Sequence, residues 1–223
     1  MKTTLILSLG LLVAASAALA DESGPFVWSR ATLDMIESGD VERGEAIAGK
    51  ARCSKCHGEL GISEDDVTPS IAGQLRAYAY KQLVDFKAGT RESSDMKKAV
   101  RKLNEQDMAD LAAYFSVQTP EPPASTQPVP PLVALGDESR LLLPCAVCHG
   151  EQGEGWGERV PAIAGQKIDH FVETMTAYRN GDRANDEYAR MRFIAGQLTP
   201  EEIDELADFY AAARVVEESE ESE

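Results

Sequence analysis

At 223 residues with 43% hydrophobic side chains, the chain can bury one large core or two small ones, each half near the lower size limit of a stable domain. Aromatic residues make up only 6%, so two small cores would need an added staple. The formal charge of −16, from 38 acidic and 22 basic side chains, argues against nucleic acid and favours partners with basic surfaces.

In chain order, Lys2 and an apolar stretch from Leu5 to Ala18 lead into Ala18-Leu19-Ala20, a small-residue cleavage pattern. The stretch is short for a bilayer span. Residues 1–20 are therefore expected to be a secretory signal cleaved after Ala20, leaving an exported protein with no integral membrane span. Cys53-Ser54-Lys55-Cys56-His57-Gly58 follows, and then a turn-rich loop. Leu75, Tyr78, Leu83 and Phe86 recur at helical spacing, while Leu103, Met108, Leu111 and Phe115 trace one face of another helix that starts at the capping pair Asn104 and Asp107. No alternating strand run competes with these. Thr119 to Pro131 holds six of the 11 prolines, which cannot continue a helix and predict a semi-rigid connector.

The second half repeats the first. Cys53, Cys56 and His57 recur 92 positions later as Cys145, Cys148 and His149, and the same offset carries Pro69 to Pro161, Ile71-Ala72-Gly73-Gln74 to Ile163-Ala164-Gly165-Gln166, and Arg91 to Arg183. Three extra residues then shift the offset to 95, at which Met96 meets Met191 and Leu111 meets Leu206. Thr199-Pro200-Glu201-Glu202 reads as a capping box with proline at the first helical position. The expected architecture is all-α, with a signal peptide at 1–20, domains over 21–119 and 132–223, and a proline-rich linker over 120–131. The nearly all-acidic Glu217 to Glu223 forms a frayed tail.

Four cysteines in an exported chain suggest disulfides, but Cys-x-x-Cys-His is the attachment signature of haem c. Two thiols three positions apart can add to the two vinyl groups of one porphyrin, and the next residue offers an imidazole to the iron. Its occurrence twice, at equivalent places in a duplicated helical domain, favours two covalently bound haem c groups over zinc or a redox disulfide. Cys53, Cys56, Cys145 and Cys148 would attach them, with His57 and His149 as iron ligands.

Each iron then needs a sixth ligand or an open position. The remaining histidine, His170, aligns with Tyr78 and has no repeat partner, which favours a surface or interdomain role. Met108 and Met175 align with Ile203 and Leu83 and read as core residues, and Met35 is unmatched. Met96 and Met191 are the methionines that the duplication preserves in both halves, and they are the expected sixth ligands.

With these residues in view, the chain resembles the cytochrome c4 family, two-domain class I cytochromes c of the bacterial periplasm. The resemblance covers about residues 40–118 and 135–212, through CSKCHG, PSIAGQLRAYAYKQLVDFKAGTR and LNEQDMADLAAYF, and then CAVCHG, PAIAGQ, YRNGDR, Met191 and LTPEEIDELADFY. It implies a periplasmic location and two small domains that each wrap one haem, the first and last helices crossing. Gly44 and Gly136 would make that close contact, against Tyr114 or Phe115 and against Phe209 or Tyr210. The Pro69 and Pro161 carbonyls would accept the imidazole N–H, and Arg91 and Arg183 would either pair with haem propionates or lie exposed after a turn glycine.

Histidine with methionine raises haem potential relative to two histidines, and a six-coordinate iron leaves no place for substrate. An electron carrier is expected rather than an enzyme, steered by its acidity toward a basic docking patch on a redox protein such as a membrane haem-copper oxidase or a dehydrogenase. A dihaem peroxidase is disfavoured by the scarcity of histidine, and a thiosulfate-oxidising enzyme with cysteine ligation by the use of all four cysteines for attachment. The dihaem subunit of a sulfide-oxidising flavoprotein complex is the main alternative.

Overall fold

The computed structural model describes residues 26–120, 124–125 and 127–214. The expected signal peptide and acidic tail lie outside the described residues.

Among the described residues, the first half contains six α-helices. Helix α1 (Arg30–Glu37) is capped by Ser29, and α2 (Val41–Ala51) by Asp40, whose carboxylate accepts the Arg43 N–H. The attachment motif forms the short α3 (Ser54–His57). Helix α4 (Arg76–Ala88) stops at Gly89, which takes φ +83° without the steric cost a side chain would bring. Helices α5 (Ser94–Val100) and α6 (Glu105–Ser116) complete the half, the latter opened by the Asn104–Asp107 capping box.

Helix α2 crosses α6 at Gly44, where an added Cβ would lie 2.1 Å from the Asp110 carbonyl oxygen and 2.6 Å from the Tyr114 Cβ. The crossing is held by the buried Asp110 carboxylate, which accepts hydrogen bonds from the Asp40 N–H, Gln106 and Arg43. Burial pushes its pKa up, but the bonds from Arg43 and Gln106 outweigh that and hold it below the usual range.

The linker includes β1 (Ala124–Ser125), which pairs in parallel with β2 (Ala213–Arg214) beyond the last helix. This is a two-residue pairing in an otherwise helical molecule, and the all-α class holds. The second half consists of α7 (Pro131–Ala134), α8 (Cys145–His149), α9 (Ile168–Asn180), α10 (Arg190–Gln197) and α11 (Pro200–Tyr210), with the expected Thr199–Glu202 capping box on α11. Val133, Leu198, Ile203, Leu206 and Tyr210 anchor its core.

Gly136 does not play the role expected of it. The first helix of this half is a single turn, and Gly136 lies after it at φ +69°, packed against the Leu142 carbonyl and Pro144 rather than Phe209 or Tyr210. The proline-rich approach leaves no length for a long first helix, so a tight turn takes its place. Arg140 stabilises that turn by bonding Asp137 on one side and Glu202 of α11 on the other.

The residues before the repeat form part of the packed molecule. Phe26, Trp28 and Met35 pack on the first-half core, while the Trp28 indole donates to Glu187 of the second half and the Arg159 guanidinium sits 4.8 Å from its ring centre. Helix α4 buries Lys81, Gln82 and Asp85 as well as Ala77, Tyr80 and Phe86. Its polar residues face the other half: Lys81 donates to the Asn185 carbonyl at 2.8 Å, and Asn185 donates to Gln82 and Asp85 at 2.9 and 2.7 Å.

Candidate functional site

Each attachment motif occupies one helical turn that ends in a glycine. In the first half the His57 N–H closes on the Cys53 carbonyl at 3.0 Å, and Gly58 leaves the helix at φ +76°, a point where a Cβ would collide with the Ile62 carbonyl. Gly150 likewise leaves the helix after His149 at φ +83°, where a Cβ would meet the Glu154 carboxylate. No disulfide closes either Cys-x-x-Cys, which leaves all four sulfurs available for attachment. Burial raises the pKa of Cys53 and pushes that of Cys145 up to about 11.

The two histidines are held alike. His57 Nδ1 lies 2.9 Å from the Pro69 carbonyl oxygen, and His149 Nδ1 lies 3.0 Å from that of Pro161. A carbonyl only accepts, so the proton of each neutral imidazole resides on Nδ1, and Nε2 keeps its lone pair for a metal. Burial lowers both pKa values, against the opposing effect of the proline bonds, and so favours the neutral ring that iron requires.

The two methionines are half-buried but differently supported. Met96 lies in the first turn of α5, where its N–H donates to the Ser93 side chain at 3.3 Å. Met191 begins α10 after the three-residue expansion, which forms a 3₁₀ turn with Tyr188 and Ala189 at φ +56° and +55° and leaves Tyr188 86% exposed. Helix α10 has no side-chain cap at its N-cap; the Asp186 carboxylate instead accepts from the Arg192 N–H and Nε. Met191 and Cys145 pack against the same core.

Arg91 and Arg183 both belong to the contact between the halves, and Arg183 is only 8% exposed. Arg91 donates to Gln82 at 2.8 Å, and Arg183 donates to Tyr78 and Gln82 at 3.1 and 3.2 Å. Burial and the neighbouring Arg183 lower the Arg91 pKa to about 10. Neither guanidinium has an ion-pair partner among the described residues, the nearby Asp85 being paired with Lys81. His170 is also interdomain: its N–H donates to the Asp66 carbonyl at 3.0 Å, and burial and the two arginines lower its pKa to about 4.

This donor set fits haem c. In each half the thiols precede a histidine with an available Nε2. Two guanidiniums, the buried Arg183 and the half-buried Arg91, have no carboxylate partner among the described residues and match propionates in charge, and the Tyr210 hydroxyl is a buried side-chain polar group with no partner among the described residues. No cluster of three or more His, Cys, Asp or Glu suited to another metal occurs among the described residues.

Residue patterns alone missed the polar contact between the halves. Gln82, Asp85 and Asn185 carried no signal because buried polar residues look like surface residues in a sequence. Gln74 and Gln166 did carry one, since the duplication preserves them, yet nothing local hinted at their partners. Gln74 bonds the backbone of Ala162, and Gln166 bonds that of Ser70.

Residues 41–117 match the family described as Cytochrome c. A cytochrome c4 of Thiocapsa roseopersicina is 34% identical over 77% of this chain and 91% of its own length. A thiosulfate dehydrogenase electron acceptor of Stutzerimonas stutzeri (strain A1501) is 30% identical over 76% of this chain and 82% of its own. The crystal structure of reduced recombinant cytochrome c4 from Pseudomonas stutzeri superposes with a TM-score of 0.73 at 30% identity, covering 79% of this chain and all of that one.

Proposed function

Because this chain belongs to the cytochrome c4 family of dihaem electron-transfer proteins, with covalently bound haem c, we propose that it is an exported, periplasmic carrier whose two irons are each bound by one histidine and one methionine. Cys53 and Cys56 would attach one haem, with His57 and Met96 as its iron ligands; Cys145 and Cys148 would attach the other, with His149 and Met191. The bound iron supplies a one-electron ferric–ferrous couple. The observation that carries the reading is the Nδ1 bond of each histidine to a proline carbonyl, which turns Nε2 toward the ligand role in both halves. Thioether sulfur favours the ferrous state, so both couples have positive potentials. Arg91 and Arg183 receive propionate charge at the contact between the halves. The expected signal peptide remains part of this proposal, and no described helix is long and apolar enough to cross a membrane.

The docking surface of the partner follows from charge. The protein is strongly acidic, and propionates add to this, so it is steered to a basic patch on its partner, with a terminal haem-copper oxidase as the proposed acceptor. The relative named as an electron acceptor of thiosulfate dehydrogenase supports a dehydrogenase as donor.

The test is a redox titration of the purified holoprotein, with spectra recorded before and after addition of carbon monoxide. The expected result is two high-potential steps, the weak long-wavelength band of methionine sulfur on ferric iron, and no carbon monoxide adduct. An adduct at either haem would overturn the methionine assignment there. The rate of reaction with an oxidase is expected to fall as salt rises from about 0.01 to 0.15 M, where the screening length shrinks from roughly 30 to 8 Å. A salt-independent rate would remove the steering argument.

A further inference from the structure

The contact between the halves reaches the peptide groups that orient the two histidines, and it does so crosswise. The carbonyl of the Pro69–Ser70 peptide accepts the His57 Nδ1–H at 2.9 Å, while the N–H of that same peptide donates to Gln166 Oε1 at 3.0 Å. Gln166 Nε2 donates in turn to the Ser70 carbonyl at 3.0 Å. In the other half, the carbonyl of the Pro161–Ala162 peptide accepts from His149 at 3.0 Å, and its N–H donates to Gln74 Oε1 at 3.0 Å. Gln74 Nε2 donates to the Ala162 carbonyl at 2.9 Å. One carboxamide thus clasps both backbone groups of the residue that follows each proline, and the glutamine always comes from the opposite half.

The glutamines are not loose side chains that happen to meet. Gln74 Oε1 also accepts the Leu75 N–H at 2.9 Å, and Gln166 Oε1 accepts the Lys167 N–H at 3.0 Å, which fixes both carboxamides. The turns that carry them are tied to the last helix of each half, through the Gly73 N–H to the Phe115 carbonyl at 2.9 Å and the Gly165 N–H to the Tyr210 carbonyl at 2.7 Å.

We propose that Gln74 and Gln166 are positioning residues for electron transfer, each setting the donor strength of the ligand histidine in the other half through that shared peptide. An amide is a resonant unit: a bond accepted from its N–H increases the negative charge on its carbonyl oxygen. Chained hydrogen bonds strengthen one another by roughly 10–30% per bond. A stronger acceptor at Nδ1 raises imidazole basicity, which favours ferric iron and lowers the potential. The linkage is reciprocal, so oxidation in one half tightens its grip on the glutamine of the other.

This inference rests on the histidine–methionine ligand set of the proposed function. It is tested on the haem-loaded full chain with the Q166L, Q74L and Q166E variants, reading each haem potential and each Nδ1–H proton resonance separately. Q166L is expected to raise the potential of the haem attached at Cys53 and Cys56 and to shift the His57 Nδ1–H resonance, with the haem of its own half moving less; Q74L should give the mirror pattern. Q166E keeps an acceptor and adds negative charge, so the same first-half haem should move downward. N185A, whose lost side-chain bonds run to Gln82, Asp85 and Arg183 and not to either proline peptide, serves as control: it perturbs the contact between the halves but should not give the crossed pattern. Unmoved potentials, equal shifts at both haems, or a larger shift in the glutamine's own half would overturn the proposal. If the parent protein lacked the methionine band, the ligand set itself would have failed. An intact band with no crossed shift would sink the glutamine role alone.

Discussion

Single side chains decide how closely the elements approach. At Gly44 the missing Cβ lets α2 rest on the backbone of α6, and the space is taken by main-chain atoms that cannot swing aside. Gly44→Ala is expected to destabilise the holoprotein by roughly 3 kcal/mol, the upper part of the range for overpacking a well-packed site. Gly49, on the same helix with nothing within 4 Å of an added Cβ, is the internal comparison. Gly49→Ala should gain up to about 1 kcal/mol from helix propensity. Urea denaturation of the two variants measures both, and equal effects would show that the close crossing is unimportant.

At the scale of the element, the two methionine-bearing helices begin differently. Helix α5 is entered through a serine cap that bonds the Met96 N–H itself, whereas α10 follows a strained turn and is held at its start by Asp186. Ser93→Ala is expected to cost about 1 kcal/mol of helix stability and to weaken the methionine band of the first haem. Asp186→Ala should act on the second haem in the same way, and with larger effect, because it removes two bonds from a partly buried arginine helix start. Resolved proton spectra of the ligand methionines report this directly. If either substitution left its methionine resonance unmoved, the helix start would have no bearing on the ligand.

The whole molecule depends on a polar contact between its halves, and that contact should respond to pH. The folded pKa of His170, about 4, lies below its ordinary value of 6.5, so the unfolded chain takes up the proton first. Stability from this group is therefore complete above about pH 6.5 and is lost as pH falls toward 4. His170→Gln should flatten the decline of Tm across that window relative to the parent protein. Identical slopes would mean that His170 does not report on the contact.

The sequence alone determined the chemistry of attachment, the duplication and the helical class. A repeated Cys-x-x-Cys-His is a local pattern whose spacing has few uses, and two copies of a helix pattern, in register at an offset of 92 and then 95, compare with each other. The capping boxes at Asn104 and Thr199 were legible for the same reason, since a cap is made by residues three apart. Tertiary structure alone decided that Gly136 closes a turn, that Trp28 spans both halves, and that Lys81, Gln82 and Asp85 of α4 are buried. For Trp28 and the α4 residues the outcome depends on partners 100 or more positions away in the chain, such as Asn185 for Gln82, and for Gly136 on the backbone of Leu142 and Pro144 folding back over it. Gln74 and Gln166 mark the boundary between the two kinds of information. Repetition exposed them as a pair, but their purpose lies in a peptide of the opposite half, and only folding brings the two together.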